Sequence, residues 1–302
     1  MATGQSLSAE ARAPHQGLAA RRGQTRSRIA GQAALYVVLL AGVILVTLPF
    51  LWMLSSALKE NAQVFAFPPS FIPNPVVWAN FPRALSAYPF GLWTTNTLLI
   101  VLISTPGTVL STSLTAFAFA RLRWPGRDVC FLIVLATMML PGEVTMIPTF
   151  LVFKYLGWLN TWLPLVVPPW LARASVDIFL MRQFFLTIPL ELDDAARVDG
   201  AGILTIYWRI LVPLCKPAMA IVAILFFQFK WDEFLAPLIY LNDSSKYTIA
   251  LGLRLLQGSP DYGTQWNLMM AAATTFILPL LVLFYFAQRY FVQGIVFTGI
   301  KG

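Results

Sequence analysis

The stretch PLELDDAARVDGAGILTIYWRILVPLCKP, residues 189–217, lies between two strongly apolar parts of the chain. Pro189 suits a first helical turn, and the acidic residues from Glu191 onward follow it, where the helix dipole favours negative charge. Gly200 can adopt the left-handed conformation that ends a helix. The stretch therefore predicts a short acidic helix over residues 190–199, with a second helix starting at Ile203.

Two functions fit this short helix. Its small side chains at Ala195 and Ala196 permit close approach of another backbone, so the helix is suited to dock into a groove of a partner protein. Alternatively, it is an ordinary amphipathic helix that lies at a membrane surface. The features of the helix alone do not decide between these interpretations.

The chain around this stretch has the composition of a membrane protein. Of its 302 residues, 58% are hydrophobic and 11% are charged, and the mean hydropathy is +0.71. Soluble domains carry about a quarter charged residues, so this chain has too little polar surface to cover a soluble globule. Helices satisfy their own backbone hydrogen bonds in lipid, and the sequence therefore predicts an all-α integral membrane protein.

Six apolar segments are long enough to be transmembrane helices. The third is interrupted by Pro141, Gly142 and Pro148, which predict a kink or a break. The fourth contains Arg173 and Asp177, whose spacing of four predicts that they share one helix face. The predicted spans cover residues 33–54, 93–119, from 129 onward, 159–181, 217–241 and 268–288.

The basic residues indicate the orientation. Of the 21 Lys and Arg residues, 14 fall on the side that carries the N-terminal tail and five on the opposite side. By the positive-inside rule, both termini are cytoplasmic, which requires an even number of spans and agrees with six. Residues 1–28 show no apolar periodicity and predict a disordered basic tail. A signal peptide is disfavoured, because the uncharged run over residues 29–58 exceeds the roughly 7–15 residues of its apolar core.

The chain lacks residues that several classes of function require. His15 is the single histidine, and Cys130 and Cys215 are the two cysteines, so neither metal binding by histidine nor a disulfide framework is expected. The net charge of +8 comes from basic residues between apolar segments and does not predict nucleic-acid binding. Three classes remain: a permease subunit, a secondary transporter or channel, and a membrane-embedded enzyme. No internal repeat or catalytic cluster favours the second or third class.

The short acidic helix and its flanking residues closely resemble the loop signature of ABC importer permeases. That signature reads Glu-Ala-Ala, three residues, Gly, nine residues, Ile, one residue, Leu-Pro. Asp194 stands here for Glu, and Val212 stands for Leu, with the spacing unchanged. Further stretches resemble the carbohydrate-type group, which includes the smaller maltose permease and the glycerol-3-phosphate permeases. They are AFPPSFIPNP from residue 66, AFAFARLRWPGR from 116, MLPGEVTMIPTF from 139, IFLMRQFFLTIP from 178 and FVQGIVFTGIKG from 291.

The resemblance implies a type I importer permease fold over residues 29–302, with a cytoplasmic coupling loop at residues 183–216. It implies a bacterial cytoplasmic membrane protein surrounded by lipid, acting as a heterodimer with a second permease subunit. Two ATP-binding cassette subunits and an extracytoplasmic solute-binding protein would complete the importer. The chain lacks a G-x-x-x-x-G-K-[ST] phosphate loop, so this subunit is expected to be non-catalytic and free of cofactors, with ATP and magnesium bound by the partner ATPase.

The resemblance also implies which residues couple to the ATPase. The coupling residues are expected to be Glu191, Asp193, Asp194, Ala195, Ala196, Asp199, Gly200, Ile210 and Pro213.

Charged side chains inside a membrane cost about 2.5–3.5 kcal/mol each on insertion scales and should face protein or water. One interpretation places Glu143, Trp231, Asp232 and Glu233 along the solute pathway, with Trp231 offering a flat face to a sugar ring. The alternative is that such charges pair with one another and hold helices together. The solute is expected to be a sugar, an oligosaccharide or a sugar-like molecule such as a glycerol phosphate. A permease for another solute class, or a secondary transporter, is the alternative.

Overall fold

The computed structural model describes residues 16–255 and 265–299, and this part of the chain is helical without a β-strand. The first eight helices are α1 Gln16–Ala57, α2 Asn61–Val64, α3 Asn80–Ser86, α4 Phe90–Arg121, α5 Arg127–Thr137, α6 Gly142–Tyr155, α7 Leu163–Val166 and α8 Ser175–Thr187. The remaining helices are α9 Glu191–Val198, α10 Ile203–Ile206, α11 Val212–Leu214, α12 Lys216–Asp232, α13 Leu235–Tyr240, α14 Ile249–Leu255 and α15 Trp266–Gly299. Short 3-10 helices cover Pro168–Leu171 and Ser244–Lys246, and a π-helical segment covers Tyr207–Leu211.

The described residues form six candidate membrane spans. Four are long apolar segments: Gly31–Ala57, Phe90–Arg121, Leu163–Thr187 and Trp266–Gln288. Two further spans are helix pairs bent at a break, α5 with α6 by 101° and Ile203–Leu214 with α12 by 76°. The prediction of an all-α fold with six spans is confirmed.

The break predicted in the third span is confirmed. Helix α5 ends at Thr137, and α6 begins at Gly142, directly after Pro141. Pro148 lies inside α6 without ending it. Pro141 ends the regular helix because it fixes its own backbone angle and disfavours helical geometry in the residue before it.

The sequence predicts the fourth span as one continuous helix, but in the structure this span is interrupted. It consists of α7, a 3-10 turn that contains Pro168 and Pro169, and α8, with Ala172 at a positive φ of 54°. Arg173 lies in the irregular backbone before α8, whereas Asp177 lies in its first turn. The two residues therefore do not share a helix face, and no ion pair joins them in the described part of the chain. The prolines explain this correction, because each removes a backbone donor.

Helix α1 begins at Gln16, inside the segment over residues 1–28 that was expected to be disordered. Residues 16–28 are rich in Ala, Arg and Gln, which favour helix, so the helix of the first span extends backward through them. Residues 1–15 of the expected tail lie outside the described residues.

Helix α4 is the centre of the bundle. It packs against α8 and α12, while α15 packs against α1 and α12. One apolar cluster, around Phe117, Phe185 and Tyr207, lies at the end of the bundle that carries residues 183–216. A second cluster, around Trp93 and Trp231, lies between α4, α12 and α15. The apolar side chains of α1 remain largely exposed, which is the surface expected of a helix that faces lipid.

The proline-rich segment after α1 is a loop without regular structure over residues 65–79. The buried amide of Asn80 ties it to the bundle, because its Nδ2 donates to the carbonyls of Ala57 at 2.9 Å and Lys59 at 2.7 Å. Lys59 Nζ donates to the Ser70 carbonyl at 2.6 Å. Asn267 Nδ2 in α15 also donates to the Lys59 carbonyl, at 3.2 Å. These bonds join the ends of α1 and α15 at one end of the bundle.

Candidate functional site

Helix α9, called here the coupling helix, ends as the sequence predicts. Gly200 has a positive φ of 81°, and its N–H donates to the Arg197 carbonyl at 3.0 Å. The N–H of Ala201 donates to the Ala196 carbonyl at 2.8 Å. These two bonds form a Schellman motif, which satisfies carbonyls that the end of a helix would otherwise leave unpaired.

The coupling helix turns two of its predicted coupling residues inward. Asp193 is buried and faces Arg121 at the end of α4, with 3.6 Å between Asp193 Oδ2 and Arg121 Nη1. Ala196 packs into the apolar cluster around Phe185. The expectation that both residues present a docking surface is therefore corrected, because a helix packed on a core must bury one face.

The outward face of the coupling helix carries the remaining predicted residues. Glu191, Asp194 and Ala195 are exposed, and Val198 is 87% exposed at the end of the same stripe. These four positions follow the spacing i, i+3, i+4, i+7 and therefore share one helix face. Asp199 and Gly200 follow and are also exposed. The acidic first turn and the exposed apolar end form a compact convex surface.

The second half of residues 183–216 anchors this surface. Tyr207 is fully buried in the π-helical segment, and its hydroxyl donates to Ser113 Oγ of α4 at 2.9 Å. Ile210 is half-buried and packs on the same apolar cluster, whereas Pro213 is exposed near the bend before α12. Ile210 therefore supports the segment from within, and Pro213 lies on its surface.

A cavity of about 690 Å³ opens between the break in the third span and the turn that follows α12. Its walls come from the start of α6, from the residues around the turn between α12 and α13, and from Arg173 of the fourth span. The polar residues that line it are Glu143, Thr145, Thr149, Arg173, Gln228, Asp232, Glu233 and Tyr240. The structure thus brings together Glu143, Asp232 and Glu233, three of the four residues predicted for the solute pathway.

The charges in this cavity are partly compensated within the chain. Lys230 Nζ lies 2.5 Å from Glu233 Oε2, and the Lys230 side chain is largely buried. The pairing that the sequence offered as an alternative therefore holds for Lys230 and Glu233. Glu143, Arg173 and Asp232 remain exposed to the cavity, where their charges can contact water or a polar solute.

Trp231 does not line the cavity. It is 0% exposed and stacks between Phe227 and Phe276, with ring centroids 5.8 and 5.7 Å away. Its Nε1 donates to the Phe276 carbonyl at 3.1 Å. The prediction that Trp231 offers a ring face to the solute is corrected, because both faces of the indole are occupied by aromatic side chains of the protein.

The described residues contain no group of three or more His, Cys, Asp or Glu side chains that could hold a metal ion. What the arrangement provides is a membrane-spanning bundle with a polar cavity between broken helices and a short helix with one exposed face at one end. A sequence model of the family described as the binding-protein-dependent transport system inner membrane component matches residues 107–297. The chain belongs to this family. It is therefore an inner-membrane permease component of a transport system that depends on a binding protein.

Curated relatives cover nearly the whole permease. It is 34% identical over 267 residues to the sn-glycerol-3-phosphate transport system permease protein UgpE of Yersinia enterocolitica, covering 86% of this chain and 94% of the relative. It is 33% identical over 276 residues to the protein of the same name from Brucella abortus, covering 87% of this chain and 95% of the relative.

A solved structure has the same fold as this permease. It is the crystal structure of a bacterial ABC transporter involved in the import of the acidic polysaccharide alginate. One of its chains matches with a TM-score of 0.74 and 24% sequence identity, over 88% of the permease and 98% of that chain. The six-span type I importer permease fold is thereby confirmed.

Sequence reasoning missed the role of Arg121. The sequence places this residue close to Arg123 and Arg127, and the structure buries Arg121 at the end of α4. The signal that could have separated them is the position of Arg121 directly after the apolar run AFAFA, still in helical register with the second span.

Proposed function

We propose that this permease forms one half of the translocation pathway of an ABC importer that takes up a sugar or a sugar-like solute. The observation that carries the proposal is the coupling helix, whose convex outer face is exposed and whose inner face is fixed to the second and fourth spans. The relatives named for sn-glycerol-3-phosphate transport and the alginate importer support a solute of the carbohydrate type.

The coupling helix docks into a partner ATPase that binds and hydrolyses ATP with magnesium. The chain carries no phosphate loop, which agrees with a non-catalytic subunit served by two ATP-binding cassette subunits. Asp194, Ala195 and Val198 make the contact, because they occupy the exposed stripe of the helix. Gly200 permits close approach at its end, since an added Cβ would meet no atom of this chain within 4 Å.

The cavity between the broken third span and the turn that follows α12 belongs to the solute pathway. Its carboxylates, Arg173 and hydroxyls can hydrogen-bond a polyhydroxylated solute. The cavity is open on one side, and a second permease subunit closes it in a heterodimer. An extracytoplasmic binding protein delivers the solute to this pair.

The basic residues set the orientation of the permease. Both termini and the coupling loop over residues 183–216 lie in the cytoplasm, in agreement with the positive-inside rule. Residues 29–302 act as the permease domain, and residues 1–28 are its basic cytoplasmic tail.

The test is co-purification of a co-expressed ATPase with the tagged permease, combined with uptake of radiolabelled sn-glycerol-3-phosphate and of neutral sugars. Val198→Asp places a charge in the exposed stripe, and Val198→Ala is the matched control. We expect the wild type and Val198→Ala to retain the ATPase and Val198→Asp to lose it. If no ATPase co-purifies with the wild type, the importer assignment is wrong; if neither class of solute enters, the carbohydrate class is wrong.

A further inference from the structure

Arg121 connects three helices at one point. It is the last residue of α4, and its Nη2 donates to the carbonyls of Phe185 at 2.8 Å and Ile188 at 2.7 Å, at the C-terminal end of α8. Its Nη1 lies 3.6 Å from Asp193 Oδ2 in the first turn of the coupling helix. A guanidinium is suited to this position, because its planar fork carries several donors and its charge favours the C-terminal end of a helix.

The ion pair is enclosed by the protein. The side chains of Arg121 and Asp193 are 2% and 4% exposed. Asp193 Oδ1 has no hydrogen-bond partner in the described part of the chain, so the Asp193 carboxylate depends on the Arg121 charge, whereas the Arg121 guanidinium also donates to two carbonyls. Removal of Arg121 would leave Asp193 as an uncompensated buried charge.

A second contact fixes the same segment to the same helix. Tyr207, seven residues beyond Gly200, donates to Ser113 Oγ of α4 at 2.9 Å. Ser113 and Arg121 are two turns apart on α4, a separation of about 12 Å along the axis. The coupling loop over residues 183–216 is therefore bonded to α4 at two points. Its connection to α12, the next helix in the chain, instead passes through a 76° bend.

Helix α8 leads from this contact to a second cavity next to the one described above. Its C-terminal end receives the Arg121 bonds, and its N-terminal residues Ser175 and Asp177 line this cavity of about 580 Å³. Arg173 and Glu233 line both cavities. A 13-residue helix is about 20 Å long, so α8 spans the distance from the coupling helix to the cavities as one rigid rod.

We propose that Arg121 is a positioning residue that makes the coupling helix, α4 and α8 move as one body. Displacement of the coupling helix by the ATPase is then passed through α8 to the cavity, and not through the bent connection to α12. The proposal rests on the proposed function and adds the route by which movement travels from the ATPase to the solute pathway.

The test measures how accessible the cavity end of α8 is to a labelling reagent. The partner ATPase, docked at the coupling helix, binds ATP during the measurement. Ser175→Cys, in a background where the exposed Cys130 is replaced by Ser, provides a labelling site for a maleimide in the reconstituted complex with the ATPase. We expect MgATP with vanadate to change the labelling rate about fivefold or more, a size typical of coupled sites. Asp193→Asn and Arg121→Gln should abolish this change while the ATPase still co-purifies and hydrolyses ATP.

Asp128→Asn is the matched control. Asp128 pairs with Arg127 at 2.9 Å, but its carboxylate is exposed, so this variant should keep the nucleotide-dependent change. A nucleotide response that persists in Asp193→Asn and Arg121→Gln would overturn the proposal. Loss of ATPase co-purification in Asp193→Asn would also overturn it, because the pair would then serve folding alone. If the background protein with both members of the pair intact retains no ATPase, the proposed function itself fails.

Discussion

Gly200 illustrates how one residue shapes the docking surface. Its φ of 81° ends the coupling helix, and an added Cβ would meet no atom within 4 Å, so only backbone conformation restricts the position. A left-handed conformation costs a residue with a Cβ about 1–2 kcal/mol, less for Asn and more for a β-branched side chain. We expect thermal stability in detergent to fall in the order Gly200, Gly200→Asn, Gly200→Val. Equal melting temperatures for the two variants would contradict this explanation.

Trp231 gives a second prediction for a single residue. Because Phe227 and Phe276 cover both faces of its ring, Trp231→Ala should destabilise the permease by about 3–5 kcal/mol, as expected for loss of a buried aromatic side chain. Trp231→Phe keeps the stacking and should retain most of the stability. Thermal unfolding would be measured beside the KM for solute uptake.

The KM for solute uptake distinguishes a structural role of Trp231 from a role in solute binding. We expect it to be unchanged in Trp231→Phe, since the indole does not reach the cavity. A large rise in KM with unchanged thermal stability would show that Trp231 contacts the solute after all.

At the scale of helices, α4 depends on a close approach at Gly107. A Cβ at this position would lie 2.6 Å from the ring of Trp170, in the 3-10 turn that breaks the fourth span. We expect Gly107→Ala to destabilise the permease by about 1–3 kcal/mol through overpacking, measured by thermal unfolding. Gly91→Ala on the same helix meets nothing within 4 Å and serves as the control. If both variants unfold alike, the two elements are not in close contact.

The broken helices also belong to this scale. The third span breaks between Thr137 and Gly142, and α12 ends at Asp232, so irregular backbone after α5 and after α12 reaches the same cavity. Backbone groups that leave a helix within a membrane need protein or water as partners. The breaks therefore place polar backbone and charged side chains together around one cavity.

At the scale of the whole molecule, the distribution of basic residues predicts which end of the bundle faces the cytoplasm. Cys130 is exposed near the coupling-helix end, and Ser70 is exposed in the proline-rich loop at the opposite end. In intact cells, a membrane-impermeant maleimide should label Ser70→Cys and should label Cys130 only after permeabilisation. Cys130→Ser in the Ser70→Cys protein removes the native signal, and the reverse labelling pattern would invert the topology.

The amino-acid sequence by itself determined the class of the protein. Its composition and long uncharged runs required helices in a membrane, and the spacing from Asp194 to Pro213 resembles the loop signature of ABC importer permeases. Prolines and glycines also located the break at Pro141 and the helix end at Gly200, because their backbone restrictions act locally. These features depend on neighbours in the chain and can therefore be read without a structure.

The tertiary structure alone decided which side chains face outward, which are buried and which meet. The spacing of the acidic residues on the coupling helix does not tell whether Asp193 or Asp194 faces the core; packing of α9 against α4 and α8 buries Asp193 on Arg121. Stacking against α15 likewise removes Trp231 from the cavity, and the prolines of the fourth span separate Arg173 from Asp177. Such contacts join residues far apart in the chain, so local sequence patterns do not predict them.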